Sequence, residues 1–284
     1  MNVQAAINAG LFVQFVYNNW NAVSQTTNLD GREVTIAGLP VIAGKTYTVL
    51  KTIYSNDLAT DINPQRPLLE GFKTIGIVAQ NAADSADIFI AVRGTENIWE
   101  WIQDFKFLPR PFPNVPGSGL TEDGFTVMYL SFSLTPGPSA TFLADIKALL
   151  PSNAMVTIAG HSLGSALVTL LAMDMAVNSN FPLLVYTLAS PRVGDLSFHN
   201  LYDHIVPNTF RVANRLDIVP KTPPPLFYFH VGDETELIPS KTMKFDLLCE
   251  HHLTSYFNML GTLIGAQALY PIDAGCLNAP PVAA

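Results

Sequence analysis

The sequence predicts the α/β class: a mainly parallel central sheet with helices on both faces. Two observations carry that expectation. Short apolar runs rich in β-branched residues alternate with longer helical patterns along most of the chain. In the middle, Met155–Ala159 reads as a buried strand and Ala166–Val177 as a buried helix, with Gly160-His161-Ser162-Leu163-Gly164 between them. No repeat and no low-complexity linker breaks this order, so residues 1–284 read as one domain.

Composition bounds the function. Apolar residues make up 49% of the 284 residues and charged residues 13%, about half the usual charged share, so the chain is globular. No run of 18 consecutive apolar residues occurs, and no transmembrane helix is expected. A net charge of −8 without a Lys/Arg cluster argues against a nucleic-acid partner. The start, Met1-Asn2-Val3-Gln4, lacks a basic n-region, so no signal peptide is evident; a soluble chain is expected, secreted if a leader has been removed. Cys249 and Cys276 are the only cysteines and allow one disulfide, worth about 3 kcal/mol if formed, or two free thiols. No H-E-x-x-H motif and no phosphate-binding glycine loop is present, so neither a metal nor an organic cofactor is expected.

Taken in order, Ala5–Tyr17 reads as a helix, and Val34–Ile36, Tyr47–Tyr54, Ile75–Gln80 and Ile88–Val92 as strands. Ile98, Trp101, Ile102, Phe105 and Leu108 recur three and four apart, giving an amphipathic helix over Asn97–Leu108. Pro109–Gly119 reads as a long loop, and Ser139–Leu150 as a helix. Leu183–Leu188 and Phe210–Ala213 read as strands and Phe198–Asp203 as a helix. Leu226–Val231 and Thr235–Leu237 suggest a hairpin, and a last helix runs from Glu250 to about Leu263.

The pattern Gly160-x-Ser162-x-Gly164 between strand and helix is that of a nucleophile elbow. The glycines let strand and helix approach, the hydroxyl of Ser162 is raised above the sheet, and the N–H of Leu163 is free for a developing oxyanion. A serine needs a neighbouring base. In α/β-hydrolases acid and then histidine follow the nucleophile. Asp217 follows a strand and precedes a proline-rich turn, the place where such an acid is presented; Asp195, Asp203 and Asp246 compete with it. Of the six histidines, His161 adjoins Ser162 and is not expected to fold back usefully. His199 and His204 precede the acid, and His230 reads as a core strand residue. His251 and His252 remain.

Between about Gly71 and Phe257 the chain resembles the class 3 lipases, the filamentous-fungal type of α/β-hydrolase with plant and bacterial relatives. The resemblance rests on Ala91-Val92-Arg93-Gly94-Thr95 with Trp101-Ile102-Gln103-Asp104, on Gly160–Gly164, on Tyr186–Gly194, on Asn214–Pro220, and on His230-Val231-Gly232. It implies Asp217 as the catalytic acid and Thr95 as the second oxyanion-hole residue, with Asp104 orienting the Thr95 hydroxyl. It also places a lid at about 97–108, where Trp99 and Trp101 would cover an acyl groove or lie on lipid; a core-packed helix is the alternative. Ser165 and Ser190 stand where relatives usually carry glycine.

The base stays open between the paired histidines. Leu253, Tyr256, Phe257 and Leu260 form a buried stripe; His251, just outside its start, is favoured over His252. The resulting expectation is a lid-bearing triacylglycerol lipase with the triad Ser162, Asp217 and His251, oxyanion donors Thr95 and Leu163, and a transient lipid–water interface as its partner. The rivals are an esterase for aromatic acyl or short-chain esters, and a catalytically silent binding protein.

Overall fold

The computed structural model describes residues 1–20, 26–36, 44–56, 71–95, 107–239 and 243–278. Helix α1 (Val3–Asn19) opens at Asn2, whose side chain accepts the N–H of Ala5. Strands β1 (Tyr47–Asn56), β2 (Phe72–Asn81) and β3 (Asp84–Val92) form an antiparallel meander. Then come β4 (Pro109–Pro111), β5 (Leu120–Glu122), α2 (Asp123–Leu130) and α3 (Phe142–Leu149). The second half alternates: β6 (Met155–His161), α4 (Leu163–Asn178), β7 (Leu183–Leu188), α5 (Leu196–Ile205), β8 (Thr209–Asn214) and β9 (Asp233–Leu237). Helices α6 (Leu247–His251) and α7 (Leu253–Leu263) follow.

Among the described residues the main sheet has seven strands in the order β1-β2-β3-β6-β7-β8-β9, parallel from β3 onward. Its two faces bury separate cores, and the alternation within β3 shows how. Ile88, Ile90 and Val92 point to the face covered by α2–α5, while Phe89 and Ala91 point to the face covered by α1 and α7. From Leu163 to Met175 every residue of α4 is buried, which explains why this stretch is apolar apart from Ser165, Thr169 and Asp174. Among the described residues, no helix is long and apolar enough to cross a membrane.

Several elements differ from expectation. Val34–Ile36 forms no strand: Glu33 pairs with Thr48 at one isolated bridge, and Val34 N–H donates to the Tyr47 carbonyl. The loop after Pro109 begins in a two-stranded ribbon, β4 against β5, and α2 follows directly, capped by Glu122. The Leu226–Leu237 segment is not a hairpin. Phe229 bridges Gly194 instead, and β9 extends the sheet by pairing parallel to β8, where Arg211 meets Glu234. The last helix is divided at His252, whose extended backbone (φ −65°, ψ 133°) ends α6 and starts α7. Most of the expected lid helix, including Trp99, Trp101 and Asp104, lies outside the described residues.

Candidate active site

Three loops leave the same edge of the sheet, after the parallel strands β3, β6 and β8, of which β3 and β6 are neighbours and β8 lies beyond β7. At the end of β6, Ser162 adopts φ 58° and ψ −131°, a conformation that L residues avoid. Its N–H is fixed by the Leu188 carbonyl at 2.9 Å, and its own carbonyl accepts Ser165 N–H at 2.8 Å. Both elbow glycines are required by close approach. A Cβ on Gly160 would lie 2.5 Å from the Gly164 carbonyl oxygen, and one on Gly164 would lie 2.4 Å from that of Val92. Ser165 fits without glycine because its hydroxyl donates to the Leu188 carbonyl at 2.8 Å. Leu163 starts α4, so its N–H belongs to the unpaired first turn of the helix.

After β3 the chain passes through Arg93 and Gly94 to half-buried Thr95. Arg93 is buried and braces this turn: Nε donates to the Thr74 carbonyl at 3.0 Å and a terminal nitrogen to the Gly94 carbonyl at 2.7 Å. Its guanidinium also lies 4.1 Å above the Trp20 ring.

After β8, Asn214 caps the turn that carries Asp217. Asp217 is fully buried. One of its carboxylate oxygens, Oδ1, accepts Val219 N–H at 2.9 Å. The other, Oδ2, accepts both His251 Nδ1–H at 2.8 Å and the Tyr256 hydroxyl at 2.7 Å. Because Nδ1 carries the proton toward the carboxylate, Nε2 of His251 holds the lone pair. Among the described residues, neither that buried Nε2 nor the buried Ser162 Oγ has a hydrogen-bond partner.

The competing acids have other work: Asp195 caps α5, Asp246 caps α6, and Asp203 accepts Gly232 N–H. His230, expected as a core strand residue, is half-buried and lies outside any strand, with Nε2 2.8 Å from the Pro220 carbonyl oxygen. Burial, aided by the Arg211 and Arg192 cations, pushes its pKa down to about 3. His252 is exposed and caps α7, its Nδ1 2.8 Å from the Thr254 hydroxyl.

Sequence reasoning missed two residues. Tyr256 reads as one member of an apolar stripe, yet its hydroxyl donates to Asp217 and accepts Asn214 N–H at 3.1 Å. Burial and the Asp217 carboxylate raise its pKa well above the usual phenol value. His161, set aside as unable to fold back onto Ser162, packs its ring 4.8 Å from that of His251. Cys249 and Cys276 form a disulfide.

Known proteins share parts of this sequence and its fold. Residues 89–227 match the model of the class 3 lipases, a stretch that holds Thr95, Ser162 and Asp217 but ends before His251. The chain is 36% identical over 189 residues to phospholipase A1-II 3 of Oryza sativa subsp. indica, covering 56% of this chain and 45% of that one. It is 34% identical over 199 residues to the lipase of Rhizomucor miehei, covering 68% and 52%. The chain thus spans about half the length of these relatives. The solved triacylglyceride lipase of Rhizomucor miehei superposes with a TM-score of 0.53 at 24% identity, covering 81% of this chain and 78% of that one. Residues 89–227 thus match the class 3 lipases, in a chain with an α/β-hydrolase sheet and a strained serine between β6 and α4.

Proposed function

We propose that the chain hydrolyses carboxylic esters of lipids through Ser162, Asp217 and His251. The observation that carries this reading is the 2.8 Å hydrogen bond from His251 to buried Asp217, made on the sheet edge that bears the strained Ser162. Ser162 Oγ attacks the ester carbonyl as His251 Nε2 takes its proton. The oxyanion is held by the N–H groups of Leu163 and Thr95, with the Thr95 hydroxyl as a further donor. Collapse of the intermediate expels the alcohol, which receives the proton from His251 and leaves an acyl-serine. Water then repeats the sequence and frees the acid. Asp217 keeps the imidazole in the reactive tautomer and stabilises its charged form.

The substrate reading follows the relatives' names, a lipase and a phospholipase A1. Large apolar side chains stand exposed on segments that flank the site. Phe245 is 84% exposed, and Leu247 and Leu248 about half exposed, just before His251. Leu226 and Phe227 precede Tyr228, whose hydroxyl donates to the Phe107 carbonyl at 2.8 Å, beside the expected lid at 97–108. Such side chains favour a lipid–water interface as the transient partner, with Trp99 and Trp101 joining it and Asp104 supporting Thr95. The disulfide favours an oxidising compartment, as in secretion. We treat residues 1–284 as one hydrolase unit.

The test is a chain-length series of triacylglycerols, phospholipids and nitrophenyl esters, above and below their solubility limits. Activity should rise with acyl length and jump as substrate aggregates. Ser162→Ala should abolish it, leaving on the order of 10³ over water. An alanine variant retaining about a tenth of wild-type activity would exclude Ser162 as the nucleophile. A rate confined to short soluble esters would instead assign an esterase.

A further inference from the structure

We infer that Tyr17 and His161 form a positioning bridge that ties the oxyanion loop to the backbone of the catalytic histidine; this rests on the function proposed above. The bridge has three hydrogen bonds. Gly94 N–H, next to Thr95, donates to the Tyr17 hydroxyl at 2.8 Å. Tyr17 and His161 Nδ1 are 3.1 Å apart, and His161 Nε2 lies 3.0 Å from the His251 carbonyl oxygen.

The direction of each bond follows from chemistry. A peptide carbonyl only accepts, so Nε2 of His161 must carry a proton. Nδ1 is then the lone pair of a neutral ring and accepts from the Tyr17 hydroxyl, whose own lone pair receives Gly94 N–H. Burial, the nearby His251 and the more distant His252 hold His161 well below the usual imidazole range, as a neutral ring requires.

The bridge answers a need set by local structure. Helix α6 has only five residues, and its last carbonyls lack partners within the helix. Two of them are bound from the sheet edge: Asn214 Nδ2 donates to the Glu250 carbonyl at 2.8 Å, and His161 to that of His251. The base is therefore fixed at its side chain by Asp217 and at its main chain by His161. Because His161 immediately precedes Ser162, nucleophile, base and oxyanion loop are referenced to one residue. Tyr17 comes from α1, well outside the 89–227 match.

The bridge touches no reacting atom, so its loss should lower kcat and leave KM nearly unchanged. Three single variants of the full chain and one double variant test this: Tyr17→Phe, His161→Phe, His161→Gln, and Tyr17→Phe combined with His161→Phe. Reactive serines are counted with a covalent alkylphosphonate, so that kcat is expressed per competent site. Tyr17→Phe should lower kcat per site about tenfold and His161→Phe about 10²-fold, with KM within about twofold. His161→Gln, which keeps an N–H for the His251 carbonyl, should recover at least about threefold over His161→Phe. Tyr17→Phe added to His161→Phe should cost less than it does alone, since the two share one hydrogen bond. Wild-type kcat per site in both single Phe variants, or additive losses in the double variant, would overturn the bridge. A wild-type protein that hydrolyses no ester would instead overturn the function on which it rests.

Discussion

His251 directs Nδ1 to Asp217 at 2.8 Å, while the adjacent His252 turns its own Nδ1 to the Thr254 hydroxyl at the same distance. The division of the last helix produces this difference. His251 is the final residue of α6 and is buried; His252 is the extended joint and is exposed. His251→Asn should therefore reduce kcat by at least about 10³, whereas His252→Asn should stay within about threefold, losing only a cap. Steady-state kinetics of the two purified variants decide this, and the opposite ranking would move the base to His252.

That pair also shows how much of the site can be read from sequence. Glycine spacing around Ser162 exposes the elbow because the close backbone contacts of Gly160 and Gly164 admit no side chain. Asp217 is legible from its place after β8. Patterning cannot show that the last helix breaks at His252, because the apolar stripe of α7 continues in phase beyond it. Tyr256 and His161 are hidden for a related reason: hydrophobic periodicity reports that a side chain is buried, not what its polar tip meets. The supposed hairpin at Leu226–Leu237 fails likewise, since strand propensity does not specify whether the partner is the next strand or the sheet edge.

Tyr256→Phe removes a donor from Asp217 Oδ2 and an acceptor from Asn214 N–H without changing the ring. The buried carboxylate keeps His251 and Val219 N–H as partners. We expect kcat to fall about tenfold and stability by about 1–2 kcal/mol, measured by ester turnover and urea unfolding. Wild-type values for both would show that the hydroxyl neither orients the acid nor helps to hold its turn.

Thr95 follows a turn fixed by Arg93, whose guanidinium donates to the Gly94 carbonyl at 2.7 Å. Removing the hydroxyl alone leaves that turn in place. Thr95→Ala should lower kcat by about 10²–10³ with KM little changed, as for a donor engaged mainly in the transition state. An unaltered kcat would leave the backbone N–H groups of Thr95 and Leu163 as the whole oxyanion site.

Glu122 couples pH to the segment that follows the expected lid. It is buried at the start of α2, where its carboxylate accepts Phe125 N–H at 2.9 Å, and its backbone pairs with Pro109. Burial raises its pKa from 4.5 to about 7; the backbone hydrogen bonds oppose this, and Asp123 adds to it. Between these values the folded chain holds the proton more tightly than the unfolded one, so this group's contribution to stability falls as pH rises through the window and levels off above it. Glu122→Gln keeps an oxygen for Phe125 N–H and removes the titration. Its Tm should match wild type near about pH 4 and exceed it by a few degrees near about pH 8, the gap opening between the two pKa values. Thermal melts of both proteins across that range measure the gap directly. Parallel profiles would mean that Glu122 is solvated or paired in the folded protein and that its burial carries no charging cost.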